Sequence, residues 1–353
     1  MAAQPNACKT AKTQVPKRFG IADLLFDRHI DSAIIRAMLD RASARSHRRL
    51  AVFGEFFFEL VFFDLSQPPR MGQEVKTTSF ARFPGGGVST TSLVAAKLGT
   101  PASAITRVGR DAVGSPEWRM LVEGGVSTRG CEVEPHLPTA MTVSAAFDGD
   151  RMMITHDEVN TKLEKLLARS AVRKELAKAS HVHMACAMRP PQVWLPAIQK
   201  LRKQGLTLSA DVGWNPDVFE SPQLPSLLKE FEFTFPNESE ALAMTGEKTV
   251  EAAARKLALR VKVPVVKLGP DGSVAVSNGR ITRVKSIHVR AVDATGAGDA
   301  FDGGFLHGYL AGWPLEECLK AGNICGALST TRAGGSGAIP TEKHLKRLMK
   351  TIR

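Results

Sequence analysis

The sequence predicts an α/β fold in which a central, mostly parallel sheet is covered by helices on both faces. From Leu50 onward, short apolar runs alternate with amphipathic stretches, as in strands connected by helices. Glycine-rich segments lie at 84–87 and 293–304, and the glycines of each segment precede a helical pattern. With 353 residues, of which 43% are hydrophobic, the chain is long enough to bury one large core.

The apolar runs place the elements in alternating order along the chain. Strands are expected at 50–53, 102–106, 181–184, 207–211, 231–235, 263–268 and 281–289. Helices are expected at 89–98, 115–124, 161–178, 191–204, 238–244, 249–260, 298–311, 315–331 and 341–351. Two regions, 55–83 and 139–159, have the pattern of strand pairs and predict a small β-structured lid; the second pair turns at 148–150.

The first 48 residues are interpreted as an extension that precedes one domain at 49–353. Residues 1–18 carry four basic residues, two prolines and no acid, which favours disorder. Residues 28–45 place apolar side chains at helical spacing and predict one amphipathic helix. The start lacks the long apolar stretch of a secretory signal, so the favoured interpretation is an extension packed on the domain; a transit peptide stays open.

The charge of the chain does not predict a nucleic-acid partner. Of the net +12, residues 1–50 supply +6, because they hold ten basic and four acidic residues. The remaining excess is spread over the rest of the chain and is modest, so it requires no polyanionic macromolecule as a partner. No RRM, KH or zinc-finger pattern is present, so nucleic-acid binding is not expected.

The apolar runs and the cysteines predict in which compartment of the cell the protein is located. No run reaches the roughly 18 to 20 apolar residues of a membrane-spanning helix, so no membrane contact is expected. The five cysteines are odd in number and never in a CxxC spacing, which is typical of a reducing compartment. A cytoplasmic protein is therefore expected, with organelle targeting by the basic start left open.

Residues 293–304 (DATGAGDAFDGG) contain the strongest candidates for anion-binding and catalytic residues. A glycine-rich turn at a helix start offers an anion site, because the first amides lack intrahelical acceptors and the helix dipole favours negative charge. An acid in that turn, Asp299, would be repelled by a resting phosphate, which favours a base that deprotonates an attacking hydroxyl. The alternative is that Asp299 is the helix N-cap.

This segment resembles the C-terminal signature of the ribokinase-like (PfkB) carbohydrate kinase family. The resemblance implies an ATP-dependent kinase whose anion hole is formed by the amides of Ala297, Gly298 and Asp299 with Gly296, and whose catalytic base is Asp299. No Walker A loop and no protein-kinase motif set is present, so the P-loop and protein-kinase routes to phosphoryl transfer are not supported.

Four further segments resemble the family's motifs in the family's order. They are PGGG at 84–87, RVGRDAVG at 107–114, PNESE at 236–240 and KLGPDG at 267–272. On the nucleotide side the resemblance implies that Mg²⁺ and its waters are organised by Asn237 and Glu240, with Glu240 acting through water. It further implies that ATP is bordered by Lys267, Gly269, Gly272 and Asn323. The alternatives are a helix cap at 237–240 and a hairpin turn at 267–272.

The acceptor side departs from the family's pattern. The resemblance assigns substrate contacts to Gly85 and Gly86, but it places Glu59 where sugar-specific relatives carry Asp and Thr90 where they carry Asn. These two changes leave phosphoryl transfer expected and ribose specificity open. The phenylalanines at 56–58 either form a stacking surface for the acceptor or fill the lid core.

The resemblance also implies a monovalent-cation site, which K⁺ would occupy, beside the anion hole. Asp293 and Thr295 would contribute to it together with backbone carbonyls of Ser329, Arg332 and Gly334. In many members of the family the lid also forms a homodimer contact, and a homodimer through the lid is therefore raised for this chain.

The function expected is transfer of the γ-phosphate of ATP, with Mg²⁺, to a hydroxyl of a sugar or sugar-like small molecule. A nucleoside kinase is the alternative within enzymes, favoured if the phenylalanines at 56–58 face the acceptor. A catalytically weak ribokinase-like regulator or scaffold is the alternative of another class, and retention of Asp299, Asn237 and Glu240 speaks against it.

Overall fold

The computed structural model describes residues 48–147, 150–335 and 337–352. The predictions of disorder at 1–18 and of a helix at 28–45 lie outside the described residues, as do Asp148 and Gly149 of the predicted hairpin turn. The domain boundary at residue 48 stays a prediction. Among the helices of the described part, none is long and apolar enough to cross a membrane.

Fourteen strands occur in the described part of the chain. They are β1 Leu50–Gly54, β2 Phe57–Phe63, β3 Ser79–Gly85, β4 Ala102–Ile105, β5 Arg107–Gly109, β6 Glu132–Glu134, β7 Met141–Phe147, β8 Asp150–His156, β9 His181–Ala185, β10 Thr207–Asp211, β11 Phe233–Thr234, β12 Val263–Lys267, β13 Ser273–Ser277 and β14 Arg280–Val284. Eight of them form the main sheet in the order β14-β13-β12-β11-β10-β9-β1-β4.

Helices of the described residues connect these strands. They are α1 Gly87–Lys97, α2 Pro116–Glu123, α3 Ser170–Leu176, α4 Pro191–Lys203, α5 Pro216–Phe219, α6 Leu224–Leu228, α7 Glu238–Thr245, α8 Val250–Leu257, α9 Ala297–Leu310, α10 Leu315–Ser329 and α11 Glu342–Met349. Short 3-10 turns lie at Glu158–Asn160, Leu163–Ala168 and Gly269–Asp271.

The main sheet is parallel from β4 through β12, and only the β13 and β14 edge is antiparallel. Every residue of β1 and β9 is buried, as expected for strands covered on both faces. Parallel strands present their carboxyl ends at one edge, where α/β folds bind ligands. The predicted fold class is confirmed, and the ends of β1, β9, β10 and β12 meet at that edge.

The predicted lid is a separate four-stranded sheet with the order β3-β2-β7-β8. The β2 and β3 pair is antiparallel, and its register places Glu59 opposite Phe83. The β7 and β8 pair is also antiparallel, while β2 and β7 run parallel and join the two hairpins. Both predicted strand pairs are thus present, and their union into one sheet was not predicted.

Three predicted elements differ from the structure. The expected helix at 161–178 is divided into a 3-10 turn, Leu163–Ala168, and α3, because Arg169 between them has an extended backbone (φ −70°, ψ 139°). The expected strand at 231–235 pairs only over β11, and the expected strand at 281–289 ends at Val284. Apolar composition alone does not show where ladder hydrogen bonds stop.

An aromatic cluster joins α9 to the sheet below it. Phe305 is fully buried and packs edge-on against Phe233 and Phe235, with ring centroids 5.0 and 5.2 Å apart. Phe301 stacks on Phe305 one turn away, at 6.3 Å. Since α9 carries Asp299 at its start, this cluster determines where the acid lies.

Truncation of Phe305 to alanine is expected to destabilise the protein by about 3 to 5 kcal/mol, because it removes a fully buried ring and leaves a cavity. Urea denaturation followed by circular dichroism measures this loss. The control is Leu259→Ala, since Leu259 is 77% exposed and its truncation should change the free energy of unfolding by less than about 0.5 kcal/mol. Equal losses in both variants would contradict the assigned core.

Candidate active site

The predicted anion hole lies at the start of α9. Gly296 is the N-cap residue, with a left-handed backbone (φ 68°) and no side-chain cap hydrogen bond. Ala297, Gly298 and Asp299 form the first turn, where amide groups and the helix dipole favour an anion. The N-cap alternative for Asp299 is wrong, because the acid lies three residues inside the cap.

Asp299 contacts the start of α1 closely. The Thr91 hydroxyl donates a hydrogen bond to the Asp299 carbonyl oxygen at 3.0 Å. A Cβ atom on Gly87 would lie 2.8 Å from Asp299 Oδ1 and 2.7 Å from Ala185 Cβ. Glycine at residue 87 is therefore required for the carboxyl group to reach this position.

The pKa of Asp299 is raised from its ordinary value to about 7, first by burial and next by the negative charge of Asp211. The Lys267 ammonium opposes the shift, and Glu59 and Glu240 add to it. A carboxyl group with a pKa near neutrality is suited to accept a proton from a hydroxyl.

Lys267, at the end of β12, forms an ion pair with Asp211, at the end of β10. Lys267 Nζ donates to Asp211 Oδ2 at 2.6 Å and lies 3.6 Å from Asp302 Oδ1. The Lys267 ammonium holds the pKa of Asp211 below its usual value against the effect of burial, whereas burial raises the pKa of Asp302 well above its usual value. Asp211, Asp299 and Asp302 each place a carboxylate oxygen within 4.8 Å of the others.

A cavity of about 420 Å³ lies against the first turn of α9. Of the residues predicted to border ATP, Lys267, Gly269, Gly272 and Asn323 all line it, together with Gly298. Asn323 donates from its amide nitrogen to the carbonyl oxygens of Val284 and Lys285, at 3.0 and 3.3 Å. It therefore anchors the chain that follows β14 as one wall of the cavity.

Asn237 and Glu240 form a reciprocal cap at the start of α7. Asn237 Oδ1 accepts from the Glu240 amide at 2.9 Å, and Glu240 Oε2 accepts from the Asn237 amide at 2.8 Å. This reciprocal pair confirms the helix-cap alternative for 237–240. The antiparallel pairing of β12 with β13 confirms the hairpin-turn alternative for 267–272. Neither role conflicts with ligand binding, because a carboxylate has acceptor capacity beyond one amide.

The predicted acceptor residues surround the start of α1. Glu59 and Thr90 are buried, and a Cβ atom on Gly85 would lie 3.1 Å from Glu59 Oε2. Gly86 has φ 82°, and a Cβ atom there would collide with the Glu55 carbonyl oxygen at 2.1 Å. The glycines thus allow the lid strand to approach α1.

Of the two alternatives for the phenylalanines at 56–58, the stacking surface is wrong for two of the three. Phe56 and Phe58 are buried and pack edge-on at 5.9 Å, and Phe56 also packs on Trp118 at 5.8 Å. Both rings fill the core, as the alternative predicted. Phe57 is half-buried and lies beside Gly86. The condition that would have favoured a nucleoside acceptor is therefore not met by Phe56 or Phe58.

A second cavity, of about 240 Å³, lies on the other side of Asp299. Its lining includes Glu55, Gly87, Arg189, Asp211 and Asp299, and of the predicted acceptor residues only Asp299 is among its lining residues. The pKa of Glu55 is raised to about 7 by burial and then by the charge of Asp157, while Arg189 lowers it. Sequence reasoning missed Glu55 and Arg189. Glu55 follows directly on the end of β1, and Arg189 lies on the loop that follows β9, at the edge where ligands bind in α/β folds.

The residues of the predicted cation site come together at two adjoining loops. Asp293 Oδ1 accepts from the amide and hydroxyl of Thr295 at 2.9 and 2.6 Å, and Asp293 Oδ2 accepts from the Gly334 amide at 3.0 Å. Ser329 ends α10 and Arg332 follows it on the loop that carries Gly334. Occupation of this place by K⁺ stays a prediction.

Residues 47–342 match the pfkB family of carbohydrate kinases. The chain belongs to this family. Among curated relatives, probable fructokinase-4 of Arabidopsis thaliana is 27% identical over 337 residues, covering 88% of this chain and 99% of its own. Cytidine kinase of Thermococcus kodakarensis is 28% identical over 244 residues, covering 68% of this chain and 84% of its own. The chain is thus a carbohydrate kinase, of the sugar and nucleoside kinase group.

Solved structures of this family share the fold. A putative ribokinase II from E. coli in complex with ATP and Mg²⁺ has a TM-score of 0.73 and 24% identity, covering 86% of this chain and 99% of its own. A nucleoside kinase of Burkholderia thailandensis in complex with inosine has a TM-score of 0.70 and 18% identity, covering 86% and 98%. These likenesses confirm the ribokinase-like fold predicted from the motifs.

Three polar residues of this pfkB-family site were not predicted from the sequence. Asp211 and Asp302 join Lys267, and His183 Nε2 lies 3.6 Å from Asp302 Oδ2 while its Nδ1 bonds to the Ser209 hydroxyl at 2.8 Å. Asp211 carries a usable signal, since it ends a strand at the ligand-binding edge. His183 lies in β9, within the strand predicted at 181–184.

Proposed function

We propose that this kinase transfers the γ-phosphate of ATP to a hydroxyl group of a neutral sugar or sugar-like molecule. The supporting observation is that two consecutive residues border two different cavities. Gly298 lines the 420 Å³ cavity, and Asp299 lines the 240 Å³ cavity. A nucleotide in the first and an acceptor in the second would meet at the first turn of α9, with the base beside the anion site.

Asp299 acts as the general base in this proposal. Its carboxylate takes the proton of the acceptor hydroxyl as the hydroxyl oxygen bonds to the γ-phosphorus, and the bond from phosphorus to the bridging oxygen of ADP breaks. The amides of Ala297, Gly298 and Asp299 hold the phosphoryl oxygens, and Gly296 provides the left-handed turn that presents them. Positioning and electrostatics supply the rate enhancement.

The residues present fit a hydrated Mg²⁺ near the phosphates. Glu240 is oriented by its cap with Asn237 and is close enough to Asp211 and Lys267 for their charges to affect its pKa, which burial raises. Oxygen ligands acting through water suit this hard cation. When bound, Mg²⁺ supplies charge neutralisation across the phosphate oxygens. The E. coli neighbour in complex with ATP and Mg²⁺ supports both ligands for this chain.

The acceptor cavity favours an uncharged polyol. It carries the carboxyl groups of Glu55, Asp211 and Asp299 and the single guanidinium of Arg189. Carboxylates accept hydrogen bonds from hydroxyl groups and repel phosphate or carboxylate substituents. Curated relatives include fructokinases and a ribokinase, which supports a sugar. A homodimer through the lid, K⁺ activation and a cytoplasmic location remain predictions.

Substitution of Asp299 by Asn should abolish transfer, because the amide keeps the shape of the side chain but accepts no proton at this step. A fall in kcat of at least about 100-fold is expected. The assay is ADP release with Mg²⁺ and K⁺ against ribose, fructose, 2-keto-3-deoxygluconate, fructose phosphates, inositol, adenosine and other nucleosides. The matched control is Asp271→Asn, in the exposed turn after β12, which should retain activity. Turnover by the Asp299 variant, or selection of a nucleoside or a phosphosugar, would contradict the proposal.

The pH dependence follows from the raised pKa of Asp299. A base must be ionised, so kcat/KM should rise about tenfold per pH unit below pH about 7 and level off above it. Asp211→Asn removes a negative charge that raises this pKa, so the inflection should move to lower pH. Glu232→Gln, which removes the partner of exposed Lys262, should leave the inflection in place. A kcat/KM that stays constant between pH 5 and 8 would show that Asp299 is not the base.

Substitution of Glu240 by Gln tests the proposed metal-binding role of this residue separately from its role in the helix cap. The Gln carbonyl oxygen can still accept from the Asn237 amide, so the free energy of unfolding should change by less than about 0.5 kcal/mol. Loss of the charge should raise the Mg²⁺ concentration for half-maximal activity by about tenfold. The control is Glu238→Gln in the same helical turn, where the side chain is exposed. An unchanged Mg²⁺ requirement would remove Glu240 from the metal site.

A further inference from the structure

Lys267 is the cation at the centre of the carboxyl cluster beneath the active site. Its Nζ donates to Asp211 Oδ2 at 2.6 Å and lies 3.6 Å from Asp302 Oδ1. An ammonium group has three donors. One is used by Asp211, and 3.6 Å to Asp302 is beyond hydrogen-bond distance, so donor capacity remains for a ligand.

The ammonium lies at the anion site. Lys267 lines the 420 Å³ cavity together with Gly298, and a Cβ atom on Gly298 would be only 3.0 Å from Lys267 Nζ. Glycine at 298 therefore leaves the space in which the ammonium sits beside the first turn of α9. The Lys267 side chain is 11% exposed, which places it at the cavity wall and not within the core.

Asp302 faces Lys267 from the buried side. It is fully buried, and it faces the Lys267 ammonium and the His183 ring, each at 3.6 Å, and the carboxyl group of Asp211. Burial raises its pKa well above the ordinary value and so favours the uncharged carboxyl group. The His183 ring, 3.6 Å from Asp302, adds no full positive charge near neutral pH, since burial lowers its pKa to about 4.

The charges around Lys267 therefore leave its ammonium with one ionised partner that bonds to it. If Asp302 were ionised, two carboxylates would flank the ammonium, and the site would repel a phosphate. With Asp302 neutral, Asp211 is the one carboxylate bonded to Lys267, and the ammonium still attracts an anion at the cavity wall. Buried lysines in such a position serve as point charges that bind phosphate oxygens.

We propose that Lys267 is a further catalytic residue whose ammonium binds an oxygen of the γ-phosphoryl group, with Asp211 as the residue that positions it. The inference rests on the proposed function in one respect, which is that the 420 Å³ cavity takes ATP. It adds a side-chain cation to the backbone amides of the anion hole. Preorganised cations of this kind stabilise the charge of the transferring group.

The test compares nucleotides that differ in the γ-phosphate. Calorimetry with the full chain and Mg²⁺ would give the Kd of ADP and of the β,γ-imido analogue of ATP for wild type and Lys267→Met. Loss of a charge-assisted hydrogen bond should weaken the imido analogue by about 10- to 100-fold, while ADP weakens by less than about threefold. Lys267→Arg, which keeps the charge, should recover part of the difference.

A matched control lies at the other end of the same strand. Lys262 immediately precedes β12, is 70% exposed and pairs with Glu232, so Lys262→Met should change neither Kd. Equal weakening of both nucleotides in Lys267→Met would assign the residue to structure or to another phosphate, and an unchanged Kd for the imido analogue would remove it from the site. Either result overturns the proposal.

The binding experiment also separates this inference from the proposed function. It requires no acceptor, so absence of turnover on every sugar would count against the proposed acceptor class while the nucleotide comparison still decides the role of Lys267. Wild-type protein that binds neither nucleotide would overturn both. With an acceptor in hand, kcat at saturating ATP should fall by about 100-fold in Lys267→Met.

Discussion

The site depends on the close approach of two helix starts. Without a side chain, Gly87 at the start of α1 allows the Asp299 carboxyl group of α9 to pass, and Gly303 allows α9 to lie against the Thr91 carbonyl oxygen. Any Cβ at either glycine would meet atoms at 2.8 Å or less. The two helices therefore bring the lid strand, the first turn of α9 and Asp299 together, and the Phe305 cluster holds α9 against the sheet.

The second constraint is one of charge. Three acids lie with their carboxylate oxygens within 4.8 Å of one another, and three negative charges at that spacing in a buried place would repel strongly. The pKa values of the three acids differ accordingly: burial raises that of Asp302 well above its usual value and that of Asp299 to about 7, whereas the Lys267 ammonium holds that of Asp211 below its usual value. The fold thus separates the three acids by burial and by the one ammonium group that bonds to Asp211.

Several motif residues have a structural role in the fold and are also proposed to act in ligand binding. Asn237 and Glu240 form a helix cap, and the Glu240 carboxylate that closes it is the one proposed to act on Mg²⁺. Gly272, with φ 93°, allows a turn that a Cβ would prevent, and it also lines the 420 Å³ cavity that is proposed to take ATP. For this reason a motif cannot be assigned to fold or to function from its letters alone, and substitutions that spare the cap are needed to measure the ligand role.

Periodicity along the chain was enough to predict the α/β alternation and helices at 89–98 and 298–311, which the structure has at Gly87–Lys97 and Ala297–Leu310. The family followed from resemblance of short glycine-containing motifs, because these are contiguous in sequence. The packing of the chain in three dimensions was needed to show that Phe56 and Phe58 lie in the core and that Glu55 and Arg189 line the 240 Å³ cavity. It also decided that Asp211 meets Lys267, 56 residues away. Local patterns show that strands end with polar residues, whereas the order of strands in the sheet determines which of those residues become neighbours.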